Sequence, residues 1–160
     1  MDIAARRSKL ETAGLVVLDE AWGELDVETI DVWKPMITGQ YTPCSAVPFQ
    51  PQNAHSRKVD REWERLAQQV GVFGPGGDFL ISVAGAGAGS IGWAHVRRTD
   101  EMRMAQHLGQ YRGEPEFVTL SMDGRIGCGV TTEEYEVWVV PFSRSHSDPD
   151  TTVEYVRIRP

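Results

Sequence analysis

The clearest hydrophobic pattern in the chain is a helical one between residues 56 and 70. Its apolar positions are spaced by four, three and four residues, and they are Val59, Trp63, Leu66 and Val70. This spacing places them on one side of an α-helix whose other side is charged. We predict a helix that begins at Ser56 as its N-cap and ends at Gly71, with Trp63 buried in the core.

Two further segments have weaker helical patterns. Residues 3–13 are predicted to form a short helix that ends at Gly14, because glycine suits the left-handed cap. Residues 100–110 are predicted to form another, with Asp100 as its N-cap. Residues 27–38 fit a helix or a strand, and the pattern alone does not decide between them.

Alternating or continuously apolar runs predict the strands of a sheet. The predicted strands are 15–18, 79–84, 91–97, 116–122, 126–131, 135–142 and 153–158. We expect Asp123-Gly124 to form a tight hairpin turn. The run that ends at Pro141 is predicted to be a central strand with Trp138 buried, and 153–158 an edge strand.

The remaining segments are polar or rich in proline. Residues 42–55 hold three prolines and are predicted to form an ordered surface loop, and 143–150 a polar loop. Together the elements predict a single α+β domain over 1–160. Its antiparallel sheet should have about five to six strands, with two to three helices packed on one face.

The glycine-rich stretch 84–92 has two interpretations. It contains Gly87-x-Gly89-x-x-Gly92, the spacing of a dinucleotide-binding turn, which requires a helix to begin at the second glycine. The residues that follow instead alternate bulky and small side chains, which is typical of a strand. We therefore predict a β-hairpin without a nucleotide cofactor, and we expect Gly89 to have a positive φ in its turn.

Composition and charge narrow the function classes. The hydrophobic content of 41% and charged content of 24% are those of an ordinary globular protein, and no apolar run approaches the ~20 residues of a membrane span. A formal net charge of −7 argues against nucleic-acid binding. The N-terminus lacks the apolar segment of a secretory signal, so we expect a cytoplasmic protein with Cys44 and Cys128 as reduced thiols.

The most uneven charge lies in residues 19–31, which include six acidic residues and no basic one. A solvated surface explains this pattern. A docking surface explains it too, if the carboxylates attract a basic partner and an aromatic side chain anchors it. On that second interpretation the partner-binding residues are Asp19, Glu20, Trp22, Glu24, Asp26, Glu28 and Asp31.

Patterns that indicate catalysis or metal binding are sparse. The histidines are His55, His95, His107 and His146, and none has metal-ligand spacing to another. No nucleophile motif surrounds any serine or cysteine. We therefore predict no catalytic, cofactor-binding or metal-binding residues.

In general character the chain resembles the immunity proteins of bacterial toxin systems, which are small, acidic, single-domain α+β proteins. The resemblance is compositional and covers no defined motif, and the acidic residues of 19–31 agree with it. It implies a non-enzymatic inhibitor that covers the active site of a basic, toxin-like protein. The alternative is a small cytosolic hydrolase or transferase with its site between the proline-rich loop 42–55 and the sheet.

Overall fold

A single antiparallel sheet of seven strands organises the computed structural model, which describes residues 1–40 and 43–144. The strands are β1 (Val16–Trp22), β2 (Ser45–Pro48), β3 (Asp78–Val83), β4 (Trp93–Arg97), β5 (Phe117–Leu120), β6 (Ile126–Thr132) and β7 (Glu136–Ser143). Their order in the sheet is β1–β4–β3–β5–β6–β7–β2. The predicted α+β class is confirmed, with slightly more strands than expected.

Helices cover both faces of this sheet. They are α1 (Ile3–Thr12), α2 (Thr29–Ile37), α3 (His55–Val70) and α4 (Met104–His107). Residues of α1, α3 and α4 share one hydrophobic core with the sheet, as expected for helices on one face. α2, in the segment that the sequence left undecided, packs on the opposite face through Val32 and Met36. Inner strands such as β5 are buried at every position, so side chains on both faces of the sheet are packed against other elements.

Trp63 lies in the larger of the two cores, and the prediction that it is buried is confirmed. Its side chain is 1% exposed. Its ring centroid lies 5.5, 5.7 and 6.0 Å from those of Phe73, Phe79 and Phe117, respectively. Its indole N–H donates to the Thr119 hydroxyl at 3.2 Å, so the polar atom of this large side chain is satisfied inside the core.

Trp138 differs from the prediction, because it is half-buried and lies on the face that α2 covers. Its strand β7 is not central but lies next to the edge strand β2, where Trp138 is paired with the exposed Ala46. The indole N–H donates to the Glu136 carboxylate at 2.7 Å. A position beside a short edge strand therefore leaves one side of the ring accessible.

Pro141 lies inside β7 rather than ending it, which corrects a second expectation for this strand. It is paired with Cys128 of β6. The Val139 carbonyl accepts a hydrogen bond from Cys44 N–H, so alternate residues of β7, including Pro141, direct their backbone polar groups toward β2. β2 begins at Ser45, which is paired with Val139. Pro141 therefore lies beyond the part of β7 that pairs with β2, and the N–H that proline lacks is not needed for a bond between the two strands.

The start of α3 and the extent of β2 also differ from the predictions. α3 has Ala54 at its N-cap position without a side-chain bond, and Ser56 lies inside the first turn. The end of the helix at Gly71, with a left-handed φ of 92°, is as predicted. The proline-rich loop contains the strand Ser45–Pro48, whose terminal proline is tolerated because β2 is an edge strand.

α4 is much shorter than the helix predicted over 100–110. The residues before it are held against the end of α1, since Arg103 N–H donates to the Ala13 carbonyl at 2.8 Å. The helix begins where Asp60 of α3 accepts a hydrogen bond from Ala105 N–H at 2.8 Å. Tertiary contacts, rather than the local apolar pattern, set its length.

Most of the predicted loop 143–150 and the whole predicted strand 153–158 lie outside the described residues. The other strand predictions hold with small changes in their ends. The Asp123-Gly124 turn joins β5 and β6, and Gly124 has a φ of 74°. Both Cys44 and Cys128 are free thiols.

The glycine-rich stretch joins β3 to the antiparallel strand β4, so the predicted hairpin is confirmed. Its helical part is only the three-residue 3-10 turn Ala88–Ser90. Gly87 and Gly92 have left-handed φ values of 75° and 65°, whereas Gly89 does not. The expectation for Gly89 is therefore wrong, because Gly89 lies inside the 3-10 turn.

Gly92→Ala should destabilise the protein by about 1–2 kcal/mol, since an L-residue is strained at this φ although its Cβ would meet no atom within 4 Å. Gly89→Ala is the matched control, because it adds the same methyl group without a left-handed backbone. It should be neutral or slightly stabilising. Urea unfolding of both variants checks this, and equal losses of stability would contradict it.

The edge strand β1 is irregular, with register shifts on both sides of Asp19. Within the irregular part, the Asp19 carboxylate accepts the N–H of Ala21 at 3.0 Å. The carbonyl of Glu20 accepts a hydrogen bond from Arg6, whose side chain is 2% exposed. Arg6 also donates to the Gly92 carbonyl, so one buried guanidinium joins α1, β1 and the glycine-rich turn.

Candidate functional site

The predicted partner-binding residues lie on three connected parts of the chain. Asp19, Glu20 and Trp22 belong to β1. Glu24, Asp26 and Glu28 lie in the loop 23–28, with Glu28 at the N-cap position of α2, and Asp31 lies in the first turn of that helix. Leu25 of this loop packs on the face that α2 covers. Leu25 also lies beside Gly124 in the turn between β5 and β6, so the loop 23–28 lies near that end of the sheet.

Two of the acidic residues are engaged within the protein. Glu20 forms an ion pair with Arg7 of α1, and Asp19 accepts the backbone hydrogen bond from Ala21. Both therefore have a structural role at β1. An ion pair between partly exposed side chains contributes little to stability.

Glu24, Asp26, Glu28 and Asp31 are exposed and form no ion pair with any residue that the structure describes. Lys34 is the only basic residue between positions 19 and 37. Within the described part of the chain, this surface therefore carries a net negative charge. Such a charge raises the encounter rate with a basic protein.

Trp22 is half-buried rather than fully exposed. Its ring packs edge-on against His95, with 4.8 Å between ring centroids, and it borders the smaller core. Only the accessible side of the Trp22 ring could contact a partner.

α2 presents two exposed apolar side chains that the sequence analysis did not identify. Ile30 is 52% exposed and Ile37 is 67% exposed. They lie seven residues apart and therefore on the same side of the helix. The signal was present in the sequence, but it could not be interpreted while a strand remained possible for 27–38. We use the name acidic docking surface for Glu24, Asp26, Glu28 and Asp31 together with these two isoleucines.

His95 belongs to a polar cluster on β3 and β4. Its Nε2 lies 3.0 Å from Asp78 Oδ2, and Arg97 Nε donates to Asp78 Oδ1 at 2.8 Å. The hydrogen bond from Arg97 holds the pKa of the Asp78 carboxyl below its usual range. A carboxylate that orients a histidine is one part of a general base. Here the cluster ties β3 to β4 by side-chain contacts.

His55 is the last residue of the proline-rich loop 42–55 and the first of α3, where the alternative function places a catalytic site. Its Nδ1 accepts the N–H of Gln50 at 3.0 Å, and its Nε2 lies 2.9 Å from the Gly113 carbonyl. Both ring nitrogens are therefore engaged with the backbone, with Nε2 as the donor. The ring is 2% exposed and joins the loop to the 109–114 segment. His146 lies outside the described residues.

A cleft of about 290 Å³ runs between α3 and the segment before α4. We name it the α3 cleft, and its wall includes Ser56, Arg57, Asp60, Arg61 and Arg103. Burial raises the pKa of the Asp60 carboxyl from 3.8 to about 7, against the opposing effect of the hydrogen bonds from Ala105 and Met104. A buried carboxyl with a shifted pKa in a cleft is a common feature of functional sites.

Backbone N–H groups of the glycine-rich turn form hydrogen bonds within the turn itself. The N–H groups of Ala88, Ser90 and Ile91 donate to carbonyls of the same turn. Arg6 and Thr29 donate to other carbonyls in it. A pyrophosphate would need such N–H groups to be free at a helix N-terminus, so these contacts are those of a structural hairpin connection.

Among residues 1–40 and 43–144, no group of three or more histidine, cysteine or acidic side chains is arranged to hold a metal ion. In the same part of the chain, no helix is long and apolar enough to cross a membrane. Comparisons with family models, with curated proteins and with solved structures found no match to this chain.

Proposed function

We propose that this chain is a non-enzymatic, cytoplasmic binding protein that covers the active site of a basic protein, as a toxin-neutralising immunity protein does. The observation that carries the proposal is the acidic docking surface. Four exposed carboxylates that form no ion pair with the described residues lie on the same loop and helix as two exposed isoleucines. An apolar centre with a charged rim is the usual composition of a protein–protein interface.

The two parts of the surface have different roles in this proposal. The carboxylates attract the basic partner over distances up to the Debye length, about 8–10 Å at physiological salt. Ile30 and Ile37 then enter an apolar depression on the partner and slow its dissociation. The net charge of −7 acts in the same direction during encounter.

Glu24→Lys with Glu28→Lys should reduce the association rate about tenfold or more at low salt and much less at high salt. The partner is first identified among proteins encoded by adjacent genes, as one whose toxicity is relieved when this chain is co-expressed. Stopped-flow kinetics at two salt concentrations then measures the association rate.

The matched control is Glu114→Lys with Glu134→Lys. Both residues are exposed, and the two substitutions reverse the same number of charges. They lie at the ends of β5 and β6 that are remote from the Gly124 turn, whereas Leu25 of the loop 23–28 lies beside that turn. The control should change the association rate about twofold or less. Equal effects of both pairs, or an association rate indifferent to salt, would contradict the proposed surface.

Ile30→Ala with Ile37→Ala should leave the association rate nearly unchanged and raise the dissociation rate about tenfold or more, because buried anchors act after encounter. Both side chains are exposed, so the fold should be retained. A dissociation rate equal to that of the unchanged protein would exclude these isoleucines as anchors.

A further inference from the structure

Ser56 lines the α3 cleft, and its buried hydroxyl has no hydrogen-bond partner among the residues that the structure describes. Ser56 is 4% exposed, and it lies in the first turn of α3, a helix of 16 residues. A buried polar group without a partner is destabilising, and proteins rarely retain one without a reason. Its position near the positive end of the helix dipole suits a hydroxyl that donates to an anion.

Three guanidinium groups line the same cleft. Arg57 and Arg61 lie one turn apart on α3, and Arg103 lies on the opposite wall. None of them forms an ion pair with the described residues. Planar guanidinium groups bind phosphate and carboxylate oxygens through paired hydrogen bonds.

The acidic residues of the cleft offset these cations only in part. Burial keeps the Asp60 carboxyl partly protonated near neutral pH. Glu64 lies 3.7 Å from Arg98, which compensates its charge. Asp100 and Glu101 are exposed, as Arg57, Arg61 and Arg103 are, so water screens the charges of both signs.

From this arrangement we infer that the α3 cleft binds the phosphate or carboxylate group of a small molecule. Arg57, Arg61 and Arg103 hold the anion, and the Ser56 hydroxyl donates a hydrogen bond to it. The cleft volume of about 290 Å³ lies at the lower end of the range for ligand pockets, which suits a molecule smaller than a nucleotide. The site is separate from the acidic docking surface and does not depend on the proposed function.

Titration of the full chain with inorganic phosphate, followed by amide NMR shifts against sodium chloride at matched ionic strength, tests this site. We expect saturable shifts centred on Ser56, Asp60 and Ala105. Acetate in place of phosphate distinguishes the two sources of the anion. Binding of phosphate alone indicates a phosphate-bearing ligand, and comparable binding of acetate indicates a carboxylate-bearing one. Saturation by neither anion up to tens of millimolar would overturn the inference.

Arg57→Gln with Arg61→Gln should weaken this binding about tenfold or more, because each removes hydrogen bonds between charged groups. Lys58→Gln with Arg65→Gln is the matched control, since it removes two positive charges from the same helix at exposed positions outside the cleft wall. It should change the affinity about twofold or less. Equal weakening by the two pairs would indicate general charge attraction and overturn the site.

Ser56→Ala provides an independent measurement. It should weaken phosphate binding about tenfold. Without phosphate, it should leave the protein as stable as before or more stable, because it removes a buried hydroxyl that has no partner in the described part of the chain. Unchanged phosphate affinity in this variant would remove Ser56 from the site. A large loss of stability without phosphate would contradict the absence of a partner, and with it the argument for an anion.

Discussion

Trp63→Ala should lower the free energy of unfolding by about 3–5 kcal/mol, the usual loss when a large aromatic side chain is removed from a core. The side chain is 1% exposed and contacts three phenylalanine rings. These rings come from different parts of the chain, so the cavity cannot close by a local adjustment of α3. The Thr119 hydroxyl would still donate to the Cys128 carbonyl at 2.7 Å, so the loss measures packing.

Trp138→Ala is the matched control for this loss. It removes the same side chain from the same sheet, but at a half-buried position. We expect a loss of about 1–2 kcal/mol. Urea unfolding followed by circular dichroism avoids the change in tryptophan fluorescence. Equal losses for the two variants would mean that Trp63 does not have the central position described for it.

Ionisation of the Asp60 carboxyl should make a measurable contribution to the pH dependence of the free energy of unfolding. Burial raises the pKa of its carboxyl from 3.8 to about 7 in the folded protein. Between these values the folded state binds the proton more strongly than the unfolded state. The contribution to stability is therefore complete below about pH 4, and it is lost as the pH rises through 7. The difference is up to about 4 kcal/mol.

Asp60→Asn should remove this contribution, because an amide resembles the protonated carboxyl and can still accept the N–H of Ala105. The variant should match the unchanged protein near pH 4 and exceed its stability at pH 8 by up to about 4 kcal/mol. Asp100→Asn removes a carboxylate from the same cleft at an exposed position and should alter the profile little. A stability difference for Asp60→Asn that is constant from pH 4 to 8 would contradict this assignment.

Features with a local physical cause were predictable from the sequence. The apolar stripe of α3 determined its face and the burial of Trp63, and the residues after Gly92 showed that a strand, not a helix, follows the glycines. The exposed carboxylates at Glu24 and Glu28 were also predictable, since charged residues in a loop remain in water.

Features that depend on distant contacts were not predictable. The half-burial of Trp138 follows from the position of β7 beside the edge strand, and strand order is not encoded in the alternation of one strand. The α3 cleft requires the segment around Arg103 to fold back onto α3 near Asp60. No spacing within α3 indicates that contact.

The irregular part of β1 has a consequence for the behaviour of the protein at high concentration. A strand at the edge of a sheet can recruit a second chain through its open backbone groups, which is a route to fibrils and to exchanged dimers. At Glu20 and Ala21 the carbonyl and the N–H are already occupied by Arg6 and Asp19. An arriving strand would therefore find these two backbone groups already bonded, which disfavours edge-to-edge pairing at this part of β1.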